Sequence, residues 1–256
     1  MADLTIKIPA LQKEFQQPKA WGSWKDASIA TVKKVKTNYG KVLMDASTIT
    51  GVPYNILVAF TATESGGSRN ESLTGSAKGI MQVEIPTAYG ILKAQLGIDT
   101  LGGFLPFYNV IPSLFKVIKP IPKPLGEASS EPAKDYLQLK LTGTAYGIIT
   151  QNITKPDAKF AAYIGALTLA QHINATIKSV GQIRLDHIII KYNAGTGAFS
   201  GRVAKKGLEK ANVDTTAIYN SVPKNFASRK AEVVQTYLVK MLGINGFLDV
   251  QKQKLA

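Results

Sequence analysis

The sequence predicts a mainly α-helical protein, and three stretches carry the prediction. Tyr54 to Thr63 is continuously apolar or small. Phe160, Tyr163, Ile164, Leu167, Leu169, His172 and Ile173 recur at helical spacing, and Ala231, Val234, Tyr237, Leu238 and Met241 share one side of a segment from Lys224 to Leu242. A 3.6-residue apolar period marks a helix with one buried face, and an unbroken apolar run marks one buried on most sides.

In chain order, residues 1–26 read as an irregular arm, because Pro9, Pro18, Gly22 and two tryptophans follow no period. Between Ala27 and Ser47, Ile29, Val32, Val35, Val42 and Leu43 alternate with lysines at mostly helical spacing, which predicts one or two amphipathic helices with Gly40 a weak spot. Pro53 suits the first turn of the next helix, since a proline there gives up an N–H that has no intrahelical partner. Gly, Ser, Asn and Thr dominate residues 65–78 and predict a polar loop, after which helical character resumes from about Met81. From about 97 to 156, Gly102-Gly103 and the prolines 106, 112, 120, 122, 124 and 132 predict an irregular insertion with partial structure of its own. Buried helices follow over Asp157–Val180 and Ile183–Tyr192. Residues 27–242 are expected to form one domain, with 243–256 as a C-terminal tail.

Composition sets the function classes. The 256 residues carry 31 Lys+Arg against 17 Asp+Glu, a net charge of +14. With 45% apolar residues, 22 Gly and 12 Pro, disorder and collagen-like repeats are excluded. The chain has no cysteine, which removes disulfides, thiolate zinc sites and cysteine nucleophiles. His172 and His187 stand in no ligand spacing and read as packed or capped helical residues, so no metal and no cofactor is expected. The first residues show no apolar stretch of signal-peptide length, and no Sec signal is expected. The uncharged run Thr100–Phe115 is too short for a bilayer span and contains two prolines, so no transmembrane segment is expected. The positive balance suits a polyanion such as nucleic acid, an anionic membrane face or a bacterial wall. The basic residues are scattered as on an ordinary solvated surface, and nucleic acid is not the expected partner.

Glu64 stands out on physical grounds. It follows the apolar run Tyr54–Thr63, with no basic residue from Gly51 to Ser68. A carboxyl group there loses hydration without gaining a local countercharge, which favours the protonated acid at neutral pH. The plain alternative is a solvated glutamate at a helix end.

Four motifs stand in order along the chain: Glu64-Ser65, Gly79-Ile80-Met81-Gln82 with Thr87-Ala88, Tyr192-Asn193-Ala194-Gly195, and Gln235 to Met241. The first three resemble the three motifs of the soluble lytic transglycosylases, and the last resembles the helix that closes their domain. The resemblance covers roughly residues 40–96 and 157–242. Pro86 falls one position later than the family's usual proline, and Ala161-Ala162 replace its Asn-Ile ahead of Gly165.

The resemblance implies a lysozyme-like, mainly helical domain that cleaves the MurNAc–GlcNAc β-1,4 bond of peptidoglycan. It implies that Glu64 is the one catalytic acid/base, protonating the glycosidic oxygen and then taking the proton of the C6 hydroxyl that attacks C1. It further implies that Tyr192 places a phenol near Glu64. Asn193 and Gln82 offer amides to the sugar, Met81 offers an apolar wall, Gly79 allows close backbone approach and Ser65 hydrogen-bonds in the loop. Tyr237 belongs to the same set, and for Met81 and Tyr237 core packing is the plain alternative. The expected partners are peptidoglycan strands and virion or secretion-machine proteins that deliver the enzyme to the wall. Two alternatives remain: a goose-type lysozyme on the same fold, with Glu71, Glu84 or Asp99 positioning water, and a non-catalytic wall-binding or virion structural protein.

Overall fold

The computed structural model describes residues 6–68, 77–96, 143–180, 183–195, 197, 199 and 213–253. Among these residues it is mainly helical, with nine α-helices and four short strands. The helices are α1 (Trp24–Thr50), α2 (Tyr54–Ser65), α3 (Ile85–Leu96), α4 (Gly143–Ile153), α5 (Lys159–Val180), α6 (Leu185–Ala194), α7 (Thr215–Asn225), α8 (Ser228–Leu242) and α9 (Phe247–Lys252). The strands are β1 (Leu11–Glu14), β2 (Ala77–Lys78), β3 (Val83–Glu84) and β4 (Gly243–Ile244). Two compact units result, Lys34–Ala170 and Met1–Lys33 with Gln171–Ala256.

In the unit Lys34–Ala170, α1 runs unbroken through Gly40 and buries Val35, Tyr39, Leu43 and Ala46 at spacings of three and four residues. The single helix thus takes the place of the one or two expected. Pro53 sits just before α2, whose residues 56–62 and Ser65 are all buried. Where helical character was expected to resume at Met81, the chain instead forms a two-stranded antiparallel hairpin, Ala77 opposite Glu84 and Lys78 opposite Val83. The reason is local. Gly79 (φ 77°) and Gln82 (φ 48°) are both left-handed, a conformation that a right-handed helix excludes, so α3 begins only at Ile85. Of the proposed insertion, residues 97–142 lie outside the described residues. Residues 143–153 form α4, which packs on α3.

In the other unit, the segment read as an arm is built into the fold. Leu11 is 1% exposed, and β1 pairs in parallel with β4 at Leu11–Gly243 and Glu14–Ile244. The rings of Phe15 and Trp24 lie 4.8 Å apart and those of Trp24 and Phe247 5.4 Å apart, so an aromatic stack joins the segment to α9. The segment read as a tail therefore carries β4 and a helix with Phe247, Leu248 and Val250 buried. The helix expected over Lys224–Leu242 is two helices that break at Phe226-Ala227. Lys224 belongs to α7, and α8 buries Ala231, Val234, Leu238 and Met241 against α6 and its neighbours.

A buried charge pair anchors the start of α6. Arg184 donates to Asp186 through Nη2 at 2.7 Å and Nε at 3.2 Å, and Thr215 Oγ1 and the His187 N–H also donate to that carboxylate. Burial pushes the Asp186 pKa up. The hydrogen bonds from Arg184, the charges of His187 and Arg184 and the Thr215 hydroxyl outweigh that and hold it below its usual value. The carboxylate's stabilising contribution is therefore present above the ordinary aspartate pKa and is lost as the pH falls below it. Replacing Arg184 leaves a buried carboxylate without its cation, so Arg184→Met is expected to lower the unfolding free energy by about 3–5 kcal/mol in urea titration at pH 7.

Candidate functional site

The candidate residues fall in both units. Glu64, Ser65, Gly79, Met81 and Gln82 belong to Lys34–Ala170, and Tyr192, Asn193 and Tyr237 to the other unit.

Glu64 occupies the last turn of α2 and is half-buried. Gly66, left-handed at φ 59°, ends the helix by donating its N–H to the Ala62 carbonyl. The chain leaving Glu64 is then pinned to α1: Asn38 donates to the Gly67 carbonyl at 3.0 Å, and Lys34 donates to Ser68 Oγ at 2.7 Å. The Ser65 hydroxyl turns back onto the Thr61 carbonyl at 3.1 Å, and the Ser65 carbonyl accepts the Ser68 N–H. Glu64 is thus held from both sides, by a buried helix before it and a tethered turn after it.

The Gly79–Gln82 turn is seated on α4 and α5. A Cβ at Gly79 would stand 2.8 Å from both the Ile153 carbonyl oxygen and Ala161 Cβ, so glycine is demanded by crowding as well as by φ. A Cβ at Gly165 would fall onto the Met81 side chain, whose own Cβ is 2.8 Å from that point. Met81 is fully buried on the bare backbone of α5, the surroundings of a core residue. Gln82 is half-buried and folds its amide over the turn, with Nε2 donating to the Gly79 carbonyl at 2.8 Å. The close approach that glycine permits at position 79 is therefore to α4 and α5. Overpacking this seat is expected to destabilise the protein by about 1–3 kcal/mol in Gly165→Ala, and by at least as much in Gly79→Ala, as read by thermal unfolding.

In the other unit, α6 carries Tyr192 and Asn193 near its end, and Gly195 closes it by donating to the Lys191 carbonyl. Tyr192 meets the His172 ring edge-on, with centroids 6.0 Å apart. His187 is fully buried, its ring 5.0 Å from that of Phe199. The Asn193 carbonyl accepts a hydrogen bond from Lys230 Nζ, while Asn193 Oδ1 is buried with no partner. Tyr237 is half-buried on α8, which packs against α6. Of the acids weighed for a second carboxylate, Glu84 is exposed on β3, and Glu71 and Asp99 lie outside the described residues. Among the described residues no group of three or more His, Asp or Glu gathers as a metal site, and no helix is long and apolar enough to cross a membrane.

Sequence reasoning missed Lys191, which is 2% exposed. Its ammonium donates to Thr176 Oγ1 at 3.0 Å and stands 4.7 Å over the Phe199 ring. The signal was present in Ile188-Ile189-Ile190, a continuous apolar run that the lysine directly follows. Burial pulls the Lys191 pKa down to about 8, and burial followed by the Lys191 charge pulls His172 down to about 3. The sign for Lys191 follows from linkage. Below pH 8 the folded state holds a charge that the unfolded chain hydrates freely, and the penalty disappears as the pH rises from about 8 to 10.5. Lys191→Met is therefore expected to be more stable than the wild type by up to about 3 kcal/mol at pH 7. In urea titrations the difference is expected to vanish above pH 10.5.

No protein-family model matches the chain, and neither a curated protein nor a solved structure matches it.

Proposed function

We propose that the protein is a peptidoglycan lytic transglycosylase that cleaves the MurNAc–GlcNAc β-1,4 bond and leaves a 1,6-anhydroMurNAc end. The observation that carries the reading is the setting of Glu64. It is a half-buried carboxyl group in the last turn of a helix that offers no basic residue there, held by a turn tethered to α1. A carboxyl group placed at the end of a buried helix and held from both sides is suited to carry a proton to and from a bound sugar. The four sequence motifs, and the Gly79–Gln82 turn built into the same unit as Glu64, add to that reading.

In the proposed reaction Glu64 gives its proton to the glycosidic oxygen as the C1–O4 bond breaks. The carboxylate then takes the proton from the C6 hydroxyl of the same MurNAc as the C1–O6 bond forms. No water is consumed, and Glu64 ends protonated. Within the unit of Glu64, Gln82 offers an amide group for the sugar. The lysozyme-like fold belongs to the same proposal. So does action at the bacterial wall as a virion or secretion-machine component, where a charge of +14 favours a surface rich in carboxylates and phosphates.

The test is mass spectrometry of the soluble fragments released from purified peptidoglycan by the wild type and by Glu64→Gln. Fragments lighter by one water than reducing ends, released by the wild type and reduced by a factor of about 1,000 or more in the variant, are expected for a single acid/base. Reducing ends would replace the transglycosylase with a lysozyme. Release of nothing from several wall types would leave a wall-binding or structural protein.

A further inference from the structure

Asn38 is an exposed residue in the middle of α1, where the poor helix propensity of asparagine works against the helix. Its side-chain amide serves another segment. Nδ2 donates to the Gly67 carbonyl at 3.0 Å, 29 residues further along the chain. Lys34, one turn earlier on the same face of α1, donates to Ser68 Oγ at 2.7 Å. Val35 meets the turn directly: a Cβ at Gly67 would stand 3.0 Å from both the Val35 backbone nitrogen and its Cγ2. The backbone of the turn therefore lies on α1 itself, and Gly67, left-handed at φ 75°, is the residue that permits it. All these residues belong to the unit Lys34–Ala170, as Glu64 does.

The turn begins where the helix of Glu64 ends. The last turn of a helix has carbonyls without intrahelical partners and frays unless the chain beyond it is fixed. The Gly66 N–H on the Ala62 carbonyl and the Ser68 N–H on the Ser65 carbonyl close the turn on itself. Asn38 and Lys34 tie it to a second helix. The Asn38 bond is part-buried and the Lys34 bond exposed, so the Asn38 bond is the less open to competition from water.

We propose that Asn38 is a positioning residue of the reaction: by holding the Gly67 carbonyl it fixes the last turn of α2, and with it the place from which the Glu64 carboxyl group meets the sugar. Asn38 belongs to none of the four motifs and lies outside the segments that carry the resemblance. The clamp stands on the contacts between α1 and the turn, and the proton transfer that it serves rests on the function proposed above. Asn38 acts through Glu64 and not on the sugar, so its loss falls on kcat and spares KM. A displacement of about 1 Å at a reacting group costs up to about 100-fold in rate.

The test uses the full chain as wild type, Asn38→Ala and Asn38→Gln, the second of which keeps a donor. Alanine removes the hydrogen bond but improves helix propensity, so the Tm of Asn38→Ala is expected to stay close to that of the wild type. On peptidoglycan, kcat is expected to fall about 10- to 100-fold in Asn38→Ala with KM within about twofold of the wild type, and Asn38→Gln is expected to recover most of the loss. A second readout needs no activity. The carbon-13 signal of the Glu64 side-chain carboxyl group, assigned by its loss in Glu64→Gln, is expected to move in Asn38→Ala and to return towards its wild-type position in Asn38→Gln. An unchanged kcat in Asn38→Ala, a loss confined to KM, or a Glu64 signal that does not move would overturn the inference. If the wild type releases no fragments, the proposed reaction fails and the Glu64 signal alone decides the clamp: movement in Asn38→Ala that is reversed in Asn38→Gln upholds it, and a fixed signal overturns it.

Discussion

The seat of the Gly79–Gln82 turn on α5 is the constraint on which the unit around Glu64 depends. Met81 lies on the helix backbone because Gly165 presents no Cβ, and Gly79 reaches α4 and α5 because Ala161 presents only a methyl group. Positions 161 and 165 are one helical turn apart and so share a face of α5. The turn fixed there sets the register of β2 against β3 and the point at which α3 can start. The second motif is therefore held as rigidly as a core element although it is a turn. A site built on such a turn needs no closing loop to bring Gln82 into place.

The two units keep their polar groups by different rules. Helix α2 is apolar through its middle, and its one carboxyl group is confined to the last turn, where the chain exits. Helix α6 holds Asp186, His187 and Lys191 inside, all but excluded from water. The aspartate is matched by Arg184 and Thr215, so its burial is offset by charge-assisted hydrogen bonds. Lys191 is held by a hydroxyl and an aromatic face, and its burial lowers its pKa. Lys191 is buried immediately before Tyr192 and Asn193, with its ammonium on Thr176 and over the Phe199 ring.

Much of the helical framework was legible in the sequence because it rests on periodicity. Tyr54–Thr63 and Phe160–Ile173 mark α2 and α5, and Pro53 marks the start of α2, all from apolar spacing and one local backbone rule. The hairpin at residues 77–84 was not legible, because its left-handed Gln82 is decided by contacts with α4 and α5 from 70 or more residues further on. The alanine at 161 and the glycine at 165 acquire a reason only when Gly79 and Met81 are seen against them. The N-terminal segment read as an arm for a related cause: Leu11 pairs with Gly243 and Trp24 stacks on Phe247, partners more than 200 residues away that no local pattern announces. For the candidate site, the sequence singles out Glu64 and the motif residues as candidates. It did not reveal that Ser65, Met81 and Gln82 spend polar or apolar contacts on their own unit, or that Lys230 reaches Asn193.

The acids of the unit Lys34–Ala170 bear on the proposed reaction, which uses a single carboxyl group. Among its described residues the carboxylates are those of Asp45, Glu64, Glu84 and Asp157. Asp157 is exposed and accepts the Lys159 N–H at the start of α5, a capping role. Asp45 is exposed on α1 and helps raise the Tyr163 phenol to about 12, after burial as the larger cause. Glu84 is exposed on the hairpin. Only Glu64 is carried on an apolar helix and held by a tethered turn. Hydrolysis of a glycosidic bond ordinarily requires a second carboxylate to orient water or to act as nucleophile. A C6 hydroxyl fixed to the same sugar ring as C1 is already within reach of it, and its effective concentration replaces the positioning that a second acid would provide. In the proposed reaction, the anhydro-forming chemistry is the one that asks least of the protein beyond one well-placed proton carrier.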